Sequence, residues 1–255
     1  MNHPGHEARS HELSLSPTEP TLSTDTTLSA HSHPFVPYQP PRIGPVQALD
    51  QGRELVEHLE ARRSVREFCA DPVSWQLIET AVAAANTAPS GAHQQPWKFI
   101  AISDPVTKHA IREAAEHEER INYEGGRLPE AWREALAPLE TNSDKSYLEI
   151  VPWIVVCFAE KSTPLPDGSL RKNYYVNESV GIACGLFISA LHTMGLATLT
   201  HTPTPMAFLT ELLGRPTTER PYILFPVGYP AADCRVPDLR RKPLNEALEL
   251  YPRLG

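Results

Sequence analysis

The chain has 255 residues and a formal net charge of −8, enough length for one sizeable domain with a tail. Hydrophobic residues make up 41%, ordinary for a globular protein, and no run approaches the ~20 apolar residues of a bilayer span. The acidic balance argues against nucleic acid as a partner, because duplex binding needs a basic face.

Residues 1–45 are rich in Ser, Thr, Pro and His and hold His3, His6, His11, His31 and His33, five of the 11 histidines. Such a stretch buries too little apolar surface to offset its ordering entropy. It is expected to be a disordered leader, with Phe35 to Pro45 lying extended on the body. The histidine spacing is irregular, so no metal site is expected. No basic region precedes an apolar stretch, so no signal peptide is expected. Cys69, Cys157, Cys184 and Cys234 have neither metal nor redox spacing, which fits reduced thiols in a cytoplasmic protein.

From 46 to 255 the pattern is that of one folded domain. Leu49, Leu55, Val56 and Leu59 recur at helical spacing, as do Leu77, Ile78, Ala81, Val82 and Ala85 before Pro89. Trp97 to Ile102 reads as a strand. Asp104-Pro105 opens a third helix that runs through Ile111 and Ala115 into Glu116–Arg120. Tyr123 to Lys145 is irregular, with Gly125-Gly126, Pro129 and Pro138 around a weak helical pattern from Glu130 to Leu136. It reads as a mobile lid over about 119–145. Trp153 to Ala159 is a buried strand and 161–173 a turn-rich insertion. Glu178 to Leu196 is an apolar helix for which a dimer interface is an evident place, with Gly195 as its C-terminal cap. A strand at Ala197–Thr200, a helix at Met206–Leu213 and a strand at Tyr222–Val227 follow. The tail from Val236 reads as polar and extended, with an apolar patch at Leu248–Tyr251.

Two stretches carry the chemistry. Arg62 to Phe68 reads Arg-Arg-Ser-Val-Arg-Glu-Phe, three guanidinium groups within five residues of an acidic chain. Such groups offer planar forks of donors that match phosphate oxygens. Ala88 to Trp97 reads Ala-Pro-Ser-Gly-Ala-His-Gln-Gln-Pro-Trp, and its Gly lets backbone N–H groups approach a ligand. The plain alternative is a solvated helix end followed by ordinary turns. No GxGxxG or Walker-type loop is present, so nucleotide binding by those devices is not indicated.

These stretches resemble the nitroreductase-like flavoprotein superfamily and, more narrowly, the iodotyrosine deiodinase family. The resemblance runs from about Glu57 to Leu244. It takes in Glu119-Arg-Ile-Asn-Tyr123, Thr141-Asn142 with Lys145, Asn177-Glu178-Ser179, Thr202-Pro203 and Val236 to Pro243. It implies an α+β fold with a mixed central sheet surrounded by helices, built as an intertwined homodimer with the cofactor in its interface. Animal members carry a membrane anchor that this sequence lacks, so no membrane association is expected.

The resemblance also implies roles. FMN would be bound by Arg62, Arg63, Ser64, Val65, Arg66, Ser90, Gly91, Thr200, His201, Thr202 and Arg241. Thr202 would set its hydroxyl near flavin N5 and control electron transfer. His201 stands where the animal proteins have Thr, so its ring either points away from the flavin or alters its potential. Ala92 would hold the substrate phenolate. Glu119, Tyr123 and Lys145 would bind an amino-acid zwitterion, with Glu119 on the ammonium and the other two on the carboxylate. On residue types alone, Glu119 in Glu116-His-Glu-Glu-Arg120 reads as a solvated helix face. Its spacing of four to Tyr123 places both on one side of a helix. The implied reaction is reductive dehalogenation of 3-iodo-, bromo- or chlorotyrosine; the sequence does not identify the reductant, for which NAD(P)H through a reductase is one option. A general NAD(P)H-dependent nitroreductase and a non-catalytic flavin-binding protein are the alternatives. Only the deiodinase needs zwitterion ligands.

Overall fold

The computed structural model describes residues 33–251. Residues 1–32, with His3, His6, His11 and His31, lie outside the described part, as do 252–255. Residues 33–44 form a unit of their own and carry neither helix nor strand.

The second unit begins with α1 (Pro45–Glu60), α2 (Trp75–Ala85), β1 (Trp97–Ile102) and α3 (Pro105–Tyr123). Then come α4 (Glu130–Leu136), α5 (Tyr147–Ile150), β2 (Trp153–Glu160), β3 (Ser162–Pro164) and β4 (Leu170–Lys172). It closes with α6 (Val176–Thr193), β5 (Ala197–Thr198), α7 (Phe208–Leu212), β6 (Glu219–Gly228) and α8 (Leu244–Ala247). Four strands make the central sheet in the order β1-β2-β6-β5, each named pair antiparallel. Ser64 adds a parallel bridge to Thr198 beside it, which makes the sheet mixed.

The period-2 alternation of β2 divides the core in two. Val155, Cys157 and Ala159 face one cluster with α2 and α6, where Phe187 stacks between Phe99 and Phe225. Ile154, Val156 and Phe158 face the other, with Ile111 of α3, Leu148 of α5 and Leu209 of α7. Cys157 and Cys184 are buried core residues, and all four cysteines are free. Trimming a side chain as buried as Phe158 would cost about 3–5 kcal/mol.

Most boundaries follow local signals. Asp104 caps α3 by accepting from the Thr107 N–H at 2.8 Å, and Pro105 occupies the first turn. Gly195 follows α6 with φ +76°, which a Cβ would oppose. The insertion at 161–173 contains the small hairpin β3–β4. The tail contains the one-turn α8 rather than being extended throughout. Neither segment has enough apolar periodicity to reveal these elements in advance. Among the described residues no helix is long and apolar enough to cross a membrane.

Candidate functional site

The arginine motif follows the end of α1. Val65 is fixed there: its side chain is buried in the second core cluster and its N–H donates to Thr198 O at 3.2 Å. That anchoring turns Arg62, Arg63, Ser64 and Arg66 toward a cleft of about 450 Å³, closed from the other side by Arg240 and Arg241. Arg241 donates to Glu60 O at 3.2 Å and to Arg62 O at 3.1 Å. Arg63 donates to Pro237 O. Among the described residues none of Arg62, Arg63, Arg66 and Arg241 pairs with a carboxylate. The Arg62 guanidinium is held below its ordinary pKa by burial and by the charges of Arg241 and Arg63. Crowded, unmatched cations of this kind are relieved by an anion.

A second cleft of about 630 Å³ shares Arg66, Leu136, Leu199 and Thr200 with the first. Glu119 and Tyr123 reach it from the last turns of α3, Lys145 from the approach to α5, and Thr200, His201 and Thr202 from the segment after β5. Thus these six residues singled out from the sequence, separated by up to 83 positions, line one cavity.

Their partners are specific. Lys145 is 3% exposed. Its ammonium donates to Asn142 O and lies 5.6 Å from the Tyr123 ring centroid. Burial depresses its pKa, against the pull of Glu119. The Lys145 N–H donates at 2.8 Å to Glu116, whose carboxylate also takes Arg112 at 2.8 Å. That network ties the lysine to α3. The Tyr123 hydroxyl donates to Thr141 at 3.3 Å, and burial raises its pKa. His201 is buried, with Nε2 3.4 Å from Glu119 Oε1. Its ring therefore faces the acid. Tyr147 stands edge-on to it at 6.1 Å between centroids.

Ser90, Gly91 and Ala92 are not among the residues lining either cleft. They form a tight turn against the start of α6, where the Gly91 N–H reaches Ser179 Oγ at 3.3 Å. A Cβ at Gly91 would come within 2.9 Å of Tyr175, so the loop needs glycine. Ala92, His93 and Gln95 all have positive φ, between 49° and 53°, a concentration of strain typical of functional loops. Residues missed from sequence are Arg127, Trp132 and Tyr147, which also line the second cleft. Tyr147 follows a polar loop and carries no pattern of its own. Arg127 sits in the irregular part of the segment read as a lid and Trp132 in its weak helical pattern, and neither carries a motif of its own.

The fold joins an antiparallel-dominated sheet and flanking helices to two adjoining clefts, one lined by arginines and one by Glu119, Tyr123 and Lys145. The nitroreductase family model matches residues 59–229, more than half of the chain, and the chain belongs to that family. Within it, the chain belongs with the iodotyrosine deiodinases. It is 48% identical over 217 residues to the iodotyrosine deiodinase of Haliscomenobacter hydrossis, covering 85% of this chain and 97% of that one. Against the Danio rerio iodotyrosine deiodinase the identity is 41% over 227 residues, covering 89% and 76%. The crystal structure of an oxidised iodotyrosine deiodinase bound to FMN and 3-iodo-L-tyrosine superposes with a TM-score of 0.68 at 28% identity. It covers 78% of this chain and all of that one.

Proposed function

We propose that this chain is an FMN-dependent oxidoreductase that removes halogen from 3-halotyrosines. The observation that carries the reading is the convergence of Glu119, Tyr123 and Lys145 on the cleft that also holds Arg66 and Thr202. A carboxylate, a phenol and an ammonium complement an amino-acid zwitterion. A general nitroaromatic reductase has no use for them.

The residues present fit FMN. Arg62, Arg63, Ser64 and Arg241 offer donors to a phosphate dianion, and the shared residues Arg66 and Thr200 lead to the second cleft. Bound FMN would supply two reducing equivalents. The halotyrosine takes up two electrons and one proton. Its carbon–halogen bond breaks, a carbon–hydrogen bond replaces it, and halide leaves. Glu119 would accept from the α-ammonium, and Tyr123 and Lys145 would donate to the α-carboxylate. For Tyr123, with one O–H, this means giving up Thr141, whereas Lys145 has three N–H donors and can keep Asn142 O. The Thr202 hydroxyl, exposed in the cleft, would be the group that tunes the cofactor. Leu128, Pro129 and Trp132 would exclude water once the segment closes over the ligand.

The reading includes a homodimer. Ser90, Gly91 and Ala92 are supported as a contribution from a second copy because they lie outside both clefts. None of α1 is buried although Val46, Leu49, Leu55 and Val56 are all more than half exposed. Stripes of this kind mark association surfaces. NAD(P)H acting through a reductase is the proposed electron source, and the cytoplasm the proposed compartment.

The test is anaerobic. FMN-loaded, chemically reduced protein is mixed with 3-iodotyrosine, 3-chlorotyrosine and a nitroaromatic, and the products are analysed. Halide and tyrosine are expected in equal amounts. Nitroaromatic reduction without halide release would overturn the reading in favour of a general nitroreductase, and no reaction at all would favour a flavin-binding protein.

A further inference from the structure

Residue 201 lies between Thr200 and Thr202, all three lining the second cleft, yet its own surroundings are different. His201 exchanges two backbone hydrogen bonds with Leu224, N–H to O at 2.9 Å and O to N–H at 3.0 Å. Its backbone is thereby pinned to the sheet. Thr200 and Thr202 on either side are exposed, whereas His201 is buried, the alternation expected of an extended segment. The ring is directed at Glu119: Nε2 lies 3.4 Å from Oε1, and the two side chains are 7% and 12% exposed. Facing a carboxylate, Nε2 is the donor nitrogen of the neutral ring and Nδ1 the acceptor. Nδ1 is buried and has no hydrogen-bond partner. An orphaned buried polar atom calls for an explanation.

We propose that His201 is a positioning residue for amino-acid recognition: its neutral ring holds one oxygen of Glu119 and leaves the other for the ligand ammonium, whereas a proton on Nδ1 closes the site to that ammonium. The proposal rests on the reading of Glu119 as the ammonium ligand. The titratable and charged groups sharing the cavity with the ring are Glu119 and Tyr123 from α3, Arg127 after it, Lys145 and Tyr147 around α5, and Arg66 from the arginine motif. Of these only Glu119 favours a charged ring. Burial is the main influence against it, and Lys145 and Arg66 add to it, so His201 is held below its ordinary pKa. A ligand ammonium on Glu119 would be one more cation against the ring and would occupy the single anion that supports it. Protonation of His201 and ammonium binding therefore compete for one carboxylate, and the affinity for an amino acid falls as the ring takes up its proton. A ligand without an ammonium escapes this competition.

The experiment compares 3-iodotyrosine with 2-iodophenol on the FMN-loaded protein, followed by flavin fluorescence. Both phenols carry an ortho iodine, so their affinity ratio isolates the ammonium. Going from about pH 7.5 to about pH 4.5, through and below the ordinary histidine value, the ratio should fall severalfold, with the fall on the acid side of that value. His201→Gln keeps an N–H donor but cannot titrate. It should preserve the ratio at the upper pH and abolish its fall. His201→Thr should lower the ratio at both pH values and leave it flat. Calorimetry in buffers of different ionisation enthalpy should detect proton release when iodotyrosine binds the wild type in mildly acidic solution, and none with His201→Gln. A wild-type ratio independent of pH, or a fall that survives in His201→Gln, would overturn the proposal. Iodotyrosine that binds without pH-dependent discrimination overturns the role of His201 alone. Iodotyrosine that does not bind at all overturns the functional reading, and this proposal with it.

Discussion

The two clefts meet at Arg66, Leu136, Leu199 and Thr200, but their charges are arranged on opposite principles. In the first, Arg62, Arg63, Arg66 and Arg241 stand without a carboxylate partner among the described residues. In the second, the acid already has His201, the lysine has Asn142 O and the phenol has Thr141. Unmatched charge specifies a ligand by what the cleft lacks, and such a cleft should bind tightly whatever the rest of the molecule does. Matched groups must share or exchange their partners when a ligand arrives. The net gain per contact is then smaller, but a ligand that cannot offer every exchange is rejected. The first arrangement suits a resident cofactor and the second a selected substrate.

The largest effect should come from the unmatched side. Replacing both Arg62 and Arg241 with Ala removes two charge-assisted donor groups. Each is worth roughly 1.5–3 kcal/mol, so FMN affinity should fall on the order of a hundredfold or more. Equilibrium dialysis of FMN measures it. Retention of FMN by the double variant would break the contrast between the clefts. On the matched side, Glu119→Gln should weaken 3-iodotyrosine binding by about tenfold to a hundredfold and leave 2-iodophenol nearly unaffected. Equal losses for both ligands would remove Glu119 from ammonium recognition.

A smaller effect is expected at Thr202, in the second cleft two residues from the shared Thr200. Thr202→Ala keeps both clefts but removes the exposed hydroxyl, so it should slow deiodination by about tenfold. Nitroaromatic reduction should hold or rise. The ratio of the two rates, rather than either alone, is the measurement. An unchanged ratio would separate Thr202 from cofactor tuning.

How much of this was readable in the sequence depended on the distance over which a signal acts. β1 appears at Trp97–Ile102 as read from its own residues, and α3 carries its cap and proline in its first turn. The same-face placement of Glu119 and Tyr123 is a helical spacing of four. Lys145 is different. Nothing local distinguishes it from a surface lysine, and only the resemblance singled it out. The structure supplies the reason it can be buried: Glu116 holds its N–H and an arginine at once. The contact between His201 and Glu119 spans 82 positions, and no periodicity or composition encodes such a meeting. Ser90 to Ala92 were readable as a glycine turn, but one chain does not bring them to the clefts.

Further down the scale is the pH dependence of stability. His201 has a folded pKa below its ordinary value because it is buried. The unfolded chain therefore binds a proton near the ordinary histidine value of about 6.5 that the folded chain resists. The sign follows from linkage: this contribution is complete above that value and is lost progressively as pH falls below it toward the lower folded pKa. His201→Gln should flatten the acid side of a plot of Tm against pH, with little change at neutral pH. An unaltered acid slope would place the ring in a wetter setting than its buried position implies.

The smallest effect concerns the wall of the matched cleft. Between Glu124 and Asp144 no residue is buried, whereas every residue from Ile154 to Ala159 is. Trp132 is 65% exposed. The segment is held to the body largely by polar contacts. Arg127 donates to Glu118 at 3.0 Å, to Asn122 at 3.3 Å and to Thr204 O at 3.2 Å. Exposed pairs of this type are worth about 0–1 kcal/mol each, so Arg127→Ala should raise the rate of proteolysis in 124–144 by only about twofold to fivefold. The ligands then discriminate what closes the wall. Halotyrosine ties Glu119, Tyr123 and Lys145 across the segment and should protect it in the variant as in the wild type. A halophenol reaches none of those three through a zwitterion and should protect poorly in both. If the halophenol protects as well as halotyrosine, the wall closes on the ring rather than on the zwitterion. The matched charges would then select the ligand without moving the chain.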